Sequence, residues 1–449
     1  MKIHCVGIGG IAISGIANIY KQKEYVVQGS DAEPSEITAG LKKQGIKVFV
    51  GHKVANITKD VDLVVYSEAV PQNNPELKKA RRLKIRCISG AQALAELSAG
   101  YFTIAVSGMH GKSTTASMIA QILIKAGLDP TFVIGTKPGW RLGKGKHLII
   151  EADDYQAKFL RYYPDTLVLT NIEKEHMDFF KNFQHIRKVF SKYVKQVKGF
   201  IVANKDDGNT LKILMSNFQF SIFKQKVKLY SLKDKDATKI KKILKVPGEH
   251  NISNALAALN AARLLKIDDE VSFKALSQYQ GIWRRFQEKD FKIKNLKLKI
   301  VSDYAHHPTE IEATLQAAAE RFKGKKIWLV FQPHQYQRTF YLFDKFVKTF
   351  QRAKNSFGLS ELIITDIYTV EGRESQAIKK KVSSQKLVKA IDKIWAVYLP
   401  QDKILDYLKA NLKGGEVIII MGAGSIYKLV ERFSTGTKLT NKKQRGRME

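Results

Sequence analysis

Short apolar runs alternate with amphipathic helical patterns along most of the chain. Near the N-terminus, the strand-like run KIHCVGI leads into the helical pattern IAISGIANIYKQK, and a second strand, YVVQGSD, follows. The runs LIIEADD, TLVLTNIE, FIVANKDD, KLKIVSDYA, KIWLVFQPH and ELIITDIY have the same character, each an apolar strand that ends in polar residues. Alternation of strand and helix is typical of parallel sheets covered by helices. The pattern therefore predicts an α/β fold.

The length of the chain predicts more than one domain. Its 449 residues, 44% of them hydrophobic, are enough for about three cores of ordinary size. We predict three α/β domains: a Rossmann-like domain at 1–97, a central P-loop type at 98–288, and a second Rossmann-like domain at 289–433. The basic segment 434–449 is predicted to be a disordered tail.

The strongest local signal is the segment TIAVSGMHGKSTT at 103–115. An apolar strand enters a Gly-His-Gly-Lys turn, and a helical pattern opens directly after it. Such a loop holds phosphate oxygens with its backbone N–H groups, while a lysine neutralises charge and a hydroxyl ligates Mg²⁺. Val106 stands where the usual P-loop has its first glycine, so the motif belongs to a shortened subclass. The predicted phosphate-binding residues are Gly108, His110, Gly111, Lys112, Ser113 and Thr114.

A second glycine-bearing turn, Gly7-x-Gly9-Gly10, follows the first predicted strand. Glycines there allow a backbone to approach a pyrophosphate, and an acidic residue about 20 positions on, here Asp31, commonly meets a ribose. The full G-x-G-x-x-G spacing is missing, and any tight strand–helix turn uses glycine. Taken alone, this signal is weak.

Two further candidates come directly after predicted strands of the central domain. Glu151 ends LIIE, where a carboxylate beside the phosphate loop could complete a Mg²⁺ shell. His176 lies in the acid-rich loop NIEKEHMD and could hold a second metal. The competing interpretations are a solvated loop acid for Glu151 and a structural role for His176.

Amide, cationic and imidazole side chains gather farther along the chain. Asn251 and Asn254 lie one turn apart at a helix start, where they could contact a base edge or act as caps. Arg284 and Arg285 lie near the predicted domain junction and could reach a phosphoryl group. The loops SDYAHHPTEI and FQPHQYQRT follow strands of the third domain, and polar loop clusters carry function more often than stability; they contain Asp303, His306, His307, His334 and Arg338.

Composition narrows the class of protein. The formal net charge is +34, but the lysines are spread along the whole chain, which favours a solvated surface over a nucleic-acid site. Two cysteines are too few for a disulfide framework and fit a reducing compartment, so we expect a cytoplasmic protein. No stretch approaches the roughly 20 apolar residues of a membrane-spanning helix, and no membrane partner is expected.

The motifs in this order resemble the Mur ligase family. Each matching stretch alone is weak evidence, but nine such stretches in the family's order over nearly the whole chain are specific evidence for the family. The loops DYAHHPTEI and FQPHQYQRT resemble the member of the family that adds L-alanine. The matching stretches are HCVGIGGIAISGIA, SGMHGKSTT, EADDYQAKFL, TNIEKEHMD, GEHNISNALAA, RRFQ, DYAHHPTEI, FQPHQYQRT and MGAGSI.

The resemblance implies an ATP-dependent ligase of peptidoglycan precursor synthesis. ATP would phosphorylate the lactyl carboxylate of UDP-N-acetylmuramate to an acyl phosphate, and the amine of L-alanine would then form the amide. By position, Lys112 would bind the β- and γ-phosphates, Ser113 and Glu151 one Mg²⁺, and His176 a second. The resemblance also implies adenine contacts for Asn251 and Asn254, a phosphate contact for Arg285, a ribose contact for Asp303, amino-acid and acyl contacts for His306, His307 and Arg338, and UDP-sugar contacts for Gly9, Gly10, Ser14 and Asp31.

The chain departs from the family pattern at two positions. Met109 stands where the family usually has Thr, and Gln335 stands where it has Arg, which removes a charge-assisted hydrogen bond of about 1.5–3 kcal/mol from the amino-acid side. Two alternatives follow: a ligase with a changed amino-acid or peptide specificity, or a non-catalytic nucleotide-binding protein whose basic surface attracts nucleic acid. The sequence leaves open whether the protein is a monomer or a homodimer.

Overall fold

A computed structural model describes residues 1–218, 227–293, 296–370 and 374–435. The chain forms two compact units. The first contains residues 1–245 and 250–282, and the second contains residues 246–249 together with the described residues from Trp283 onward.

The first unit begins with a five-stranded parallel sheet. Its strand order is β3-β2-β1-β4-β5, so β2 and β3 lie on one side of β1, and β4 and β5 lie on the other side. Ligands bind in open α/β sheets at such a point, where the strand order changes direction. Its strands are β1 Lys2–Val6, β2 Val26–Asp31, β3 Lys47–Val50, β4 Leu63–Tyr66 and β5 Arg86–Ser89, and its helices are α1 Ile11–Gln22, α2 Glu36–Lys43, α3 Pro75–Arg82 and α4 Gly90–Ser98, with a 3-10 turn at Val54–Asn56.

The same unit contains a seven-stranded sheet in the order β12-β11-β10-β6-β9-β7-β8. All its neighbouring strands run parallel except the short pair β7 and β8. Its strands are β6 Phe102–Ser107, β7 Thr131–Val133, β8 Trp140–Arg141, β9 His147–Glu151, β10 Thr166–Leu169, β11 Phe200–Asn204 and β12 Val227–Tyr230, and its helices are α5 Lys112–Lys125, α6 Phe183–Lys195, α7 Gly208–Phe218, α8 Lys235–Ile243, α9 Glu249–Leu264 and α10 Asp269–Ser277, with a 3-10 segment at Tyr155–Arg161.

The second unit is built on a six-stranded sheet in the order β13-β14-β18-β15-β16-β17. Only β13 runs antiparallel to its neighbour. Its strands are β13 Gln287–Ile293, β14 Leu296–Asp303, β15 Ile327–Phe331, β16 Leu359–Ile364, β17 Ala396–Tyr398 and β18 Val417–Met421, and its helices are α11 Pro308–Arg321, α12 Tyr336–Tyr341, α13 Phe343–Phe357, α14 Gln376–Lys381, α15 Ser384–Ile391, α16 Ile404–Asn411 and α17 Lys428–Thr435, with a 3-10 turn at Ser425–Tyr427.

Local sequence explains where many helices begin. Ser35 and Ser89 form capping boxes, in which their hydroxyl oxygens accept hydrogen bonds from the N–H of the third residue of α2 and α4. The Asn74 side chain accepts from the N–H groups of the second and third residues of α3, whose first residue is Pro75. These devices satisfy amide donors that the helix itself leaves without partners. The central strands carry buried apolar residues on both faces, as in β9 and β18, because helices cover both sides of a parallel sheet.

One buried carboxylate links strand β2 of the first sheet to the loop after β3 and to helix α3. Glu76 at the start of α3 accepts hydrogen bonds from Ser30, Asn56 and His52, with oxygen–donor distances of 2.6, 2.5 and 2.8 Å. Burial alone raises the pKa of Glu76, but the His4 imidazole at 3.6 Å and these hydrogen bonds outweigh it and lower the pKa to about 2. The ionised carboxylate therefore stabilises the folded state.

The α/β class and the strand–helix order predicted from the sequence are confirmed. The boundaries 97/98 and 288/289 stay predictions; the second of them falls inside β13. Of the predicted tail, Ser434 and Thr435 belong to α17, and 436–449 lie outside the described residues. Within the described part of the chain, no helix is long and apolar enough to cross a membrane.

Candidate active site

The loop between β6 and α5 has a backbone that only glycine permits at two positions. Gly108 has φ 129°, and a Cβ atom there would lie 2.2 Å from the Thr170 hydroxyl oxygen. Gly111 has φ 81°, and a Cβ atom would lie 2.3 Å from Oδ1 of Asn254. Both positions combine a left-handed backbone with a close approach. The loop is therefore packed into one shape at the start of α5, as a phosphate cradle requires.

The end of β10 holds the same loop. The backbone N–H groups of Met109 and His110 donate to the carbonyl and side-chain oxygens of Asn171, at 3.0 and 2.9 Å. The Thr170 hydroxyl donates to the His110 carbonyl at 2.6 Å. The His110 ring also contacts the Glu173 carboxylate. Met109 contributes its backbone here, and its side chain is buried.

Lys112 is the cation of this loop. Its ammonium group donates to the carbonyl oxygens of Gly108 and Met109, at 2.7 and 3.2 Å, and to Oδ1 of Asp154 at 2.8 Å. Burial lowers the pKa of Lys112, but the carboxylates of Asp154 and Glu151 outweigh it, so the pKa lies above its ordinary value. Lys112 is therefore charged at neutral pH and held next to the position where phosphate would lie.

Ser113 and Glu151 lie together beside the loop. The Ser113 hydroxyl donates to Oε2 of Glu151 at 2.7 Å, and the Gly135 N–H donates to the same oxygen at 2.8 Å. A Cβ atom at Gly135 would lie 2.7 Å from that oxygen. A carboxylate and a hydroxyl at the carboxyl edge of the sheet, beside a phosphate cradle, form the oxygen donor set that Mg²⁺ prefers. These residues fit the predicted ion.

His176 lies beside Asp154, the carboxylate that holds Lys112. Its Nε2 atom is 3.5 Å from Oδ2 of Asp154, and its ring lies 5.0 Å from the ring of Tyr155. Its φ of 55° is a strained value for a non-glycine residue. Asp153 has a lowered pKa because Lys158 and Lys112 outweigh the effect of its burial. The structure thus brings His176 next to an acidic pair, and its role as a second metal ligand stays a prediction.

The two predicted asparagines lie on the first turns of α9 and are buried. Asn254 accepts a hydrogen bond from the buried Thr115 hydroxyl at 3.2 Å. Its Nδ2 atom lies 3.4 Å from Oδ1 of Asn251. Asn254 therefore supports the phosphate loop at Gly111, a packing role that the sequence does not indicate.

Thr114, also predicted to bind phosphate, has a buried side chain on the first turn of α5.

In the first sheet, the glycine turn and its acid meet. The Gly9 N–H donates to Oδ2 of Asp31 at 2.7 Å, and Gly10 precedes α1 in an extended conformation. The Ser14 hydroxyl donates to the Ile11 carbonyl at 2.9 Å. Ser14 also lines a cleft of about 350 Å³, whose other walls include Asn18, Glu36, Lys137 and Trp140. This cleft lies between α1, α2 and the loop before β8.

The two arginines of the second unit have different surroundings. Arg284 is buried, donates to the Gly422 and Gly424 carbonyls, and packs 4.6 Å from the Tyr427 ring. Burial lowers its pKa to about 10. Arg285 is partly exposed and lies 3.6 Å from Glu310. Arg284 therefore stabilises the fold of this unit, whereas Arg285 has a side chain that a ligand can reach.

Asp303 and His307 hold the loop that joins β14 to α11. The Asp303 carboxylate accepts hydrogen bonds from the backbone N–H groups of Phe286 and Ala305, at 2.7 and 2.8 Å, and burial raises its pKa. His307 is buried and caps α11 by accepting from the Thr309 N–H at 3.3 Å. Both residues therefore shape the loop, and their predicted ligand contacts stay predictions.

A second loop cluster follows β15. Nη1 of Arg338 lies 3.0 Å from both the Nδ1 atom and the carbonyl oxygen of His334. The His334 ring stacks on Tyr368 and lies 5.8 Å from the ring of His306. The structure thus unites the two histidine-bearing loops that the sequence separates. Gln335 is buried, with φ 71°, and its N–H donates to the Tyr368 carbonyl at 2.9 Å.

Sequence reasoning missed the carboxylates that hold these site residues. Asp154 binds Lys112, Glu173 contacts His110, and Glu374 accepts a hydrogen bond from the Tyr336 N–H at the start of α12. Asp154 was open to prediction, because it closely follows the end of β9 at Glu151. The partners of Glu173 and Glu374 are distant in the sequence, so no spacing reveals them.

Three profiles of one family match the chain in succession. The Mur ligase catalytic domain matches residues 2–102, the Mur ligase middle domain 106–262, and the Mur ligase glutamate ligase domain 284–424. These segments carry the glycine turn, the phosphate loop with both asparagines, and the histidine-bearing loops, respectively.

Curated relatives and solved structures agree with the profiles. The chain is 42% identical to the UDP-N-acetylmuramate–L-alanine ligase of Acetivibrio thermocellus, over 96% of this chain and 95% of the relative, and 35% identical to that of Clostridium novyi, over 96% and 97%. The crystal structure of the UDP-N-acetylmuramate-alanine ligase of Thermotoga maritima superposes with a TM-score of 0.78 at 26% identity, covering 97% of this chain and all of that one. A murein peptide ligase from Psychrobacter arcticus shares the fold, with a TM-score of 0.71 at 22% identity over 97% and 98% of the two chains. The chain therefore belongs to the Mur ligase family.

Proposed function

We propose that the protein joins L-alanine to the lactyl carboxylate of UDP-N-acetylmuramate with consumption of ATP, a step of peptidoglycan precursor synthesis. The observation that carries this proposal is the 42% identity to an L-alanine ligase along 96% of the chain. An oxygen of the lactyl carboxylate attacks the γ-phosphorus of ATP and ADP leaves. The alanine nitrogen then attacks the acyl carbon, phosphate leaves, and an amide forms.

ATP binding is the task of the loop between β6 and α5. The N–H groups at the start of α5 and the charged Lys112 stabilise the phosphates, since a helix N-terminus and a fixed cation both attract anions. Lys112 donates to Asp154 and two loop carbonyls in the structure. In this proposal it exchanges part of these contacts for phosphate oxygens, and Asp154 keeps its ammonium group in place.

Mg²⁺ is the cofactor that we propose for the pair Ser113 and Glu151, which already share a hydrogen bond of 2.7 Å. When bound there, the ion would neutralise negative charge on the phosphates. The Gly135 N–H holds the Glu151 carboxylate beside the Ser113 hydroxyl, so the two oxygen donors are in place before an ion binds. His176, next to Asp153 and Asp154, is the proposed ligand of a second ion.

The remaining contacts are assigned from the family resemblance. Gly9, Gly10, Ser14 and Asp31 are proposed to hold the UDP-sugar, because a glycine turn at a strand end and the cleft at Ser14 leave room for it. Asn251 and Asn254 are proposed to contact adenine. We propose a phosphate contact for Arg285 and a ribose contact for Asp303. The amino-acid and acyl groups are proposed to contact His306, His307 and Arg338.

We infer the amino-acid substrate from the L-alanine ligases that the chain resembles, although Gln335 replaces an arginine of the family. The loss of a guanidinium at this position removes one partner for the alanine carboxylate, but Arg338 keeps a guanidinium within the same loop cluster. We therefore expect L-alanine to be the preferred substrate, with a Michaelis constant raised by about tenfold or more relative to an enzyme with Arg at position 335, because the lost hydrogen bond is worth about 1.5–3 kcal/mol.

The test is phosphate release from ATP and Mg²⁺ with UDP-N-acetylmuramate, in separate reactions with L-alanine, glycine and L-serine. We expect release that requires both the sugar nucleotide and L-alanine. Lys112→Ala should abolish it, because the loop then lacks its ammonium group. Lys125→Ala is the matched control: it removes an exposed lysine from the last turn of the same helix and should leave the rate unchanged.

Two results would change the proposal. Release that depends on another amino acid would keep the mechanism and move the specificity to the Gln335 cluster. Release that no combination of sugar nucleotide and amino acid stimulates would refute the ligase activity and favour a non-catalytic nucleotide-binding protein.

A further inference from the structure

A second, larger cleft lies on the side of the first unit away from the proposed active site. Its volume is about 670 Å³, within the range of small-molecule sites. It is lined by residues at the amino ends of parallel strands, including Leu63, Arg86 and Lys146, and by residues at the end of α1. We call it the amino-edge cleft. None of the site residues assigned above lines it.

The position of the amino-edge cleft separates it from the chemistry. The active-site loops follow the carboxyl ends of β6 and β9, whereas Tyr101 and Lys146 come immediately before these two strands. Five strand residues span roughly 17 Å, and α1 is about 18 Å long. A small ligand in the cleft therefore cannot touch Lys112 or Glu151, so it is separate from the ATP and from the reacting carboxylate.

The charge of the cleft favours an anion. Four cationic side chains line it, Lys23, Arg86, Lys144 and Lys146, against two acids. Glu96 is paired with Arg86, and the second acid, Asp62, accepts a hydrogen bond from the Lys2 backbone N–H. Within the described residues, the three lysine ammonium groups form no salt bridge. Phosphate oxygens are suitable partners for such a group of lysines.

Two of these lysines project from a rigid loop. Gly143 and Gly145 flank Lys144, and Cβ atoms on them would lie 2.0 Å from the Asp129 carbonyl oxygen and 1.9 Å from the Leu128 carbonyl oxygen. The Lys144 N–H donates to the Asp129 carboxylate at 2.8 Å, and the Phe102 N–H donates to the Lys146 carbonyl at 2.8 Å. The loop backbone is therefore fixed before any ligand binds, which lowers the entropic cost of binding.

Aromatic rings complete the lining. Tyr20 and Tyr25 form an edge-to-face pair with centroids 5.8 Å apart, and the Lys23 ammonium lies 5.6 Å from the centre of the Tyr101 ring. All three tyrosines line the cleft. Aromatic rings beside lysines bind flat heterocycles by stacking while the lysines hold phosphate, the combination used for nucleotides.

We infer that the amino-edge cleft binds a nucleoside phosphate as a ligand distinct from the substrates. The ring stacks on the tyrosine side, and the phosphate lies against Lys144 and Lys146. Because the cleft lies at the opposite ends of β6 and β9 from the active-site loops, such a ligand is not a reactant.

The test uses the full-length protein with its catalytic sites filled by a non-hydrolysable ATP analogue, Mg²⁺ and UDP-N-acetylmuramate. UMP and AMP are titrated by calorimetry, with uridine and inorganic phosphate as half-ligands. Hydrogen exchange with and without the nucleotide locates the bound ligand. We expect a nucleotide affinity at least about tenfold above that of either half-ligand, with protection at 19–26, 84–101 and 141–147.

The variants decide between a built site and general attraction to a basic surface. Lys144→Glu combined with Lys146→Glu should weaken nucleotide binding by about tenfold or more. Lys241→Glu combined with Lys242→Glu, an equal charge change on the exposed face of α8, should leave it within about twofold. Tyr101→Ala should weaken binding of the nucleotide but not of phosphate.

Three results would overturn the inference. These are equal weakening by both charge-reversal pairs, protection confined to the loops after β6 and β9, and the absence of any binding at millimolar nucleotide. Each can occur whether or not the protein is an L-alanine ligase, because neither the calorimetry nor the hydrogen exchange depends on turnover.

Discussion

Replacing Gly111 by alanine tests whether the phosphate loop has the packing described above. The new Cβ atom would lie 2.3 Å from Oδ1 of Asn254, about 1 Å closer than carbon and oxygen normally approach. Alanine would also have to adopt φ 81°, which costs about 1–2 kcal/mol. To relieve the contact, Asn254 must move and release the buried Thr115 hydroxyl, which costs about 1–3 kcal/mol more.

The matched control is Gly127→Ala. Gly127 has φ 74°, but no atom lies within 4 Å of the position that a Cβ atom would take, so alanine there costs only the left-handed backbone. Gly111→Ala should therefore cost about 2–5 kcal/mol and Gly127→Ala about 1–2 kcal/mol. Adding Asn254→Ala to Gly111→Ala should cost little more, because the Thr115 hydroxyl has already lost its acceptor and the two sites share one contact.

Thermal melts of the three variants give the ranking, and calorimetry with a non-hydrolysable ATP analogue gives the functional effect. We expect Gly111→Ala to weaken analogue binding at least about tenfold, since it displaces N–H groups of the cradle. If Gly111→Ala melts no lower than Gly127→Ala, or if both bind the analogue like the parent, the argument that Asn254 packs against and fixes the loop is wrong.

Three further predictions concern charged groups. Asp154→Asn should lower kcat/KM for ATP at least about tenfold, because Lys112 loses its buried carboxylate partner; steady-state kinetics check this, and a rate equal to that of the parent would contradict it. The pKa of Glu76 falls from 4.5 in a free side chain to about 2 in the folded protein. Its ionisation therefore adds about 3 kcal/mol to the free energy of unfolding above pH 4.5, and this contribution is lost as the pH falls towards 2. Urea unfolding from pH 7 to pH 3 should show the free energy of unfolding falling with pH, and Glu76→Gln should reduce this dependence. Arg284→Met should destabilise the second unit by about 2–4 kcal/mol, because it leaves the Gly422 carbonyl without its donor; a melt with the parent midpoint would contradict it.

The elements of the fold could be predicted because their signals are local. The period of the apolar residues indicates strand KIHCV and helix IAISGIANIYKQ, which are β1 and α1, and the glycines at 108 and 111 mark a turn between a strand and a helix. Glu151 and His176 could be placed at the edge of a sheet for the same reason, since each follows a parallel strand. The end of such a strand is known once the strand is known.

The roles of Asn254 and Arg284 could not be predicted in this way. Asn254 at a helix start indicates a cap or a base contact, but the structure packs it against Gly111, in a loop far earlier in the chain. Arg284 and Arg285 are neighbours with the same chemistry, yet one is buried against the carbonyls of Gly422 and Gly424 and the other is partly exposed. The difference arises because a segment far along the chain, at Gly422 and Gly424, packs against Arg284.

The sequence by itself determined the α/β class, the order of strands and helices, the phosphate loop and the family. Each depends on residues close together in the chain, or on the order in which short motifs follow one another. The tertiary structure decided which carboxylate binds Lys112, which histidines lie next to each other, and which cleft Lys144 and Lys146 line. Such contacts join residues far apart in the chain, and short-range patterns carry no information about them because the packing of whole sheets and helices sets these distances.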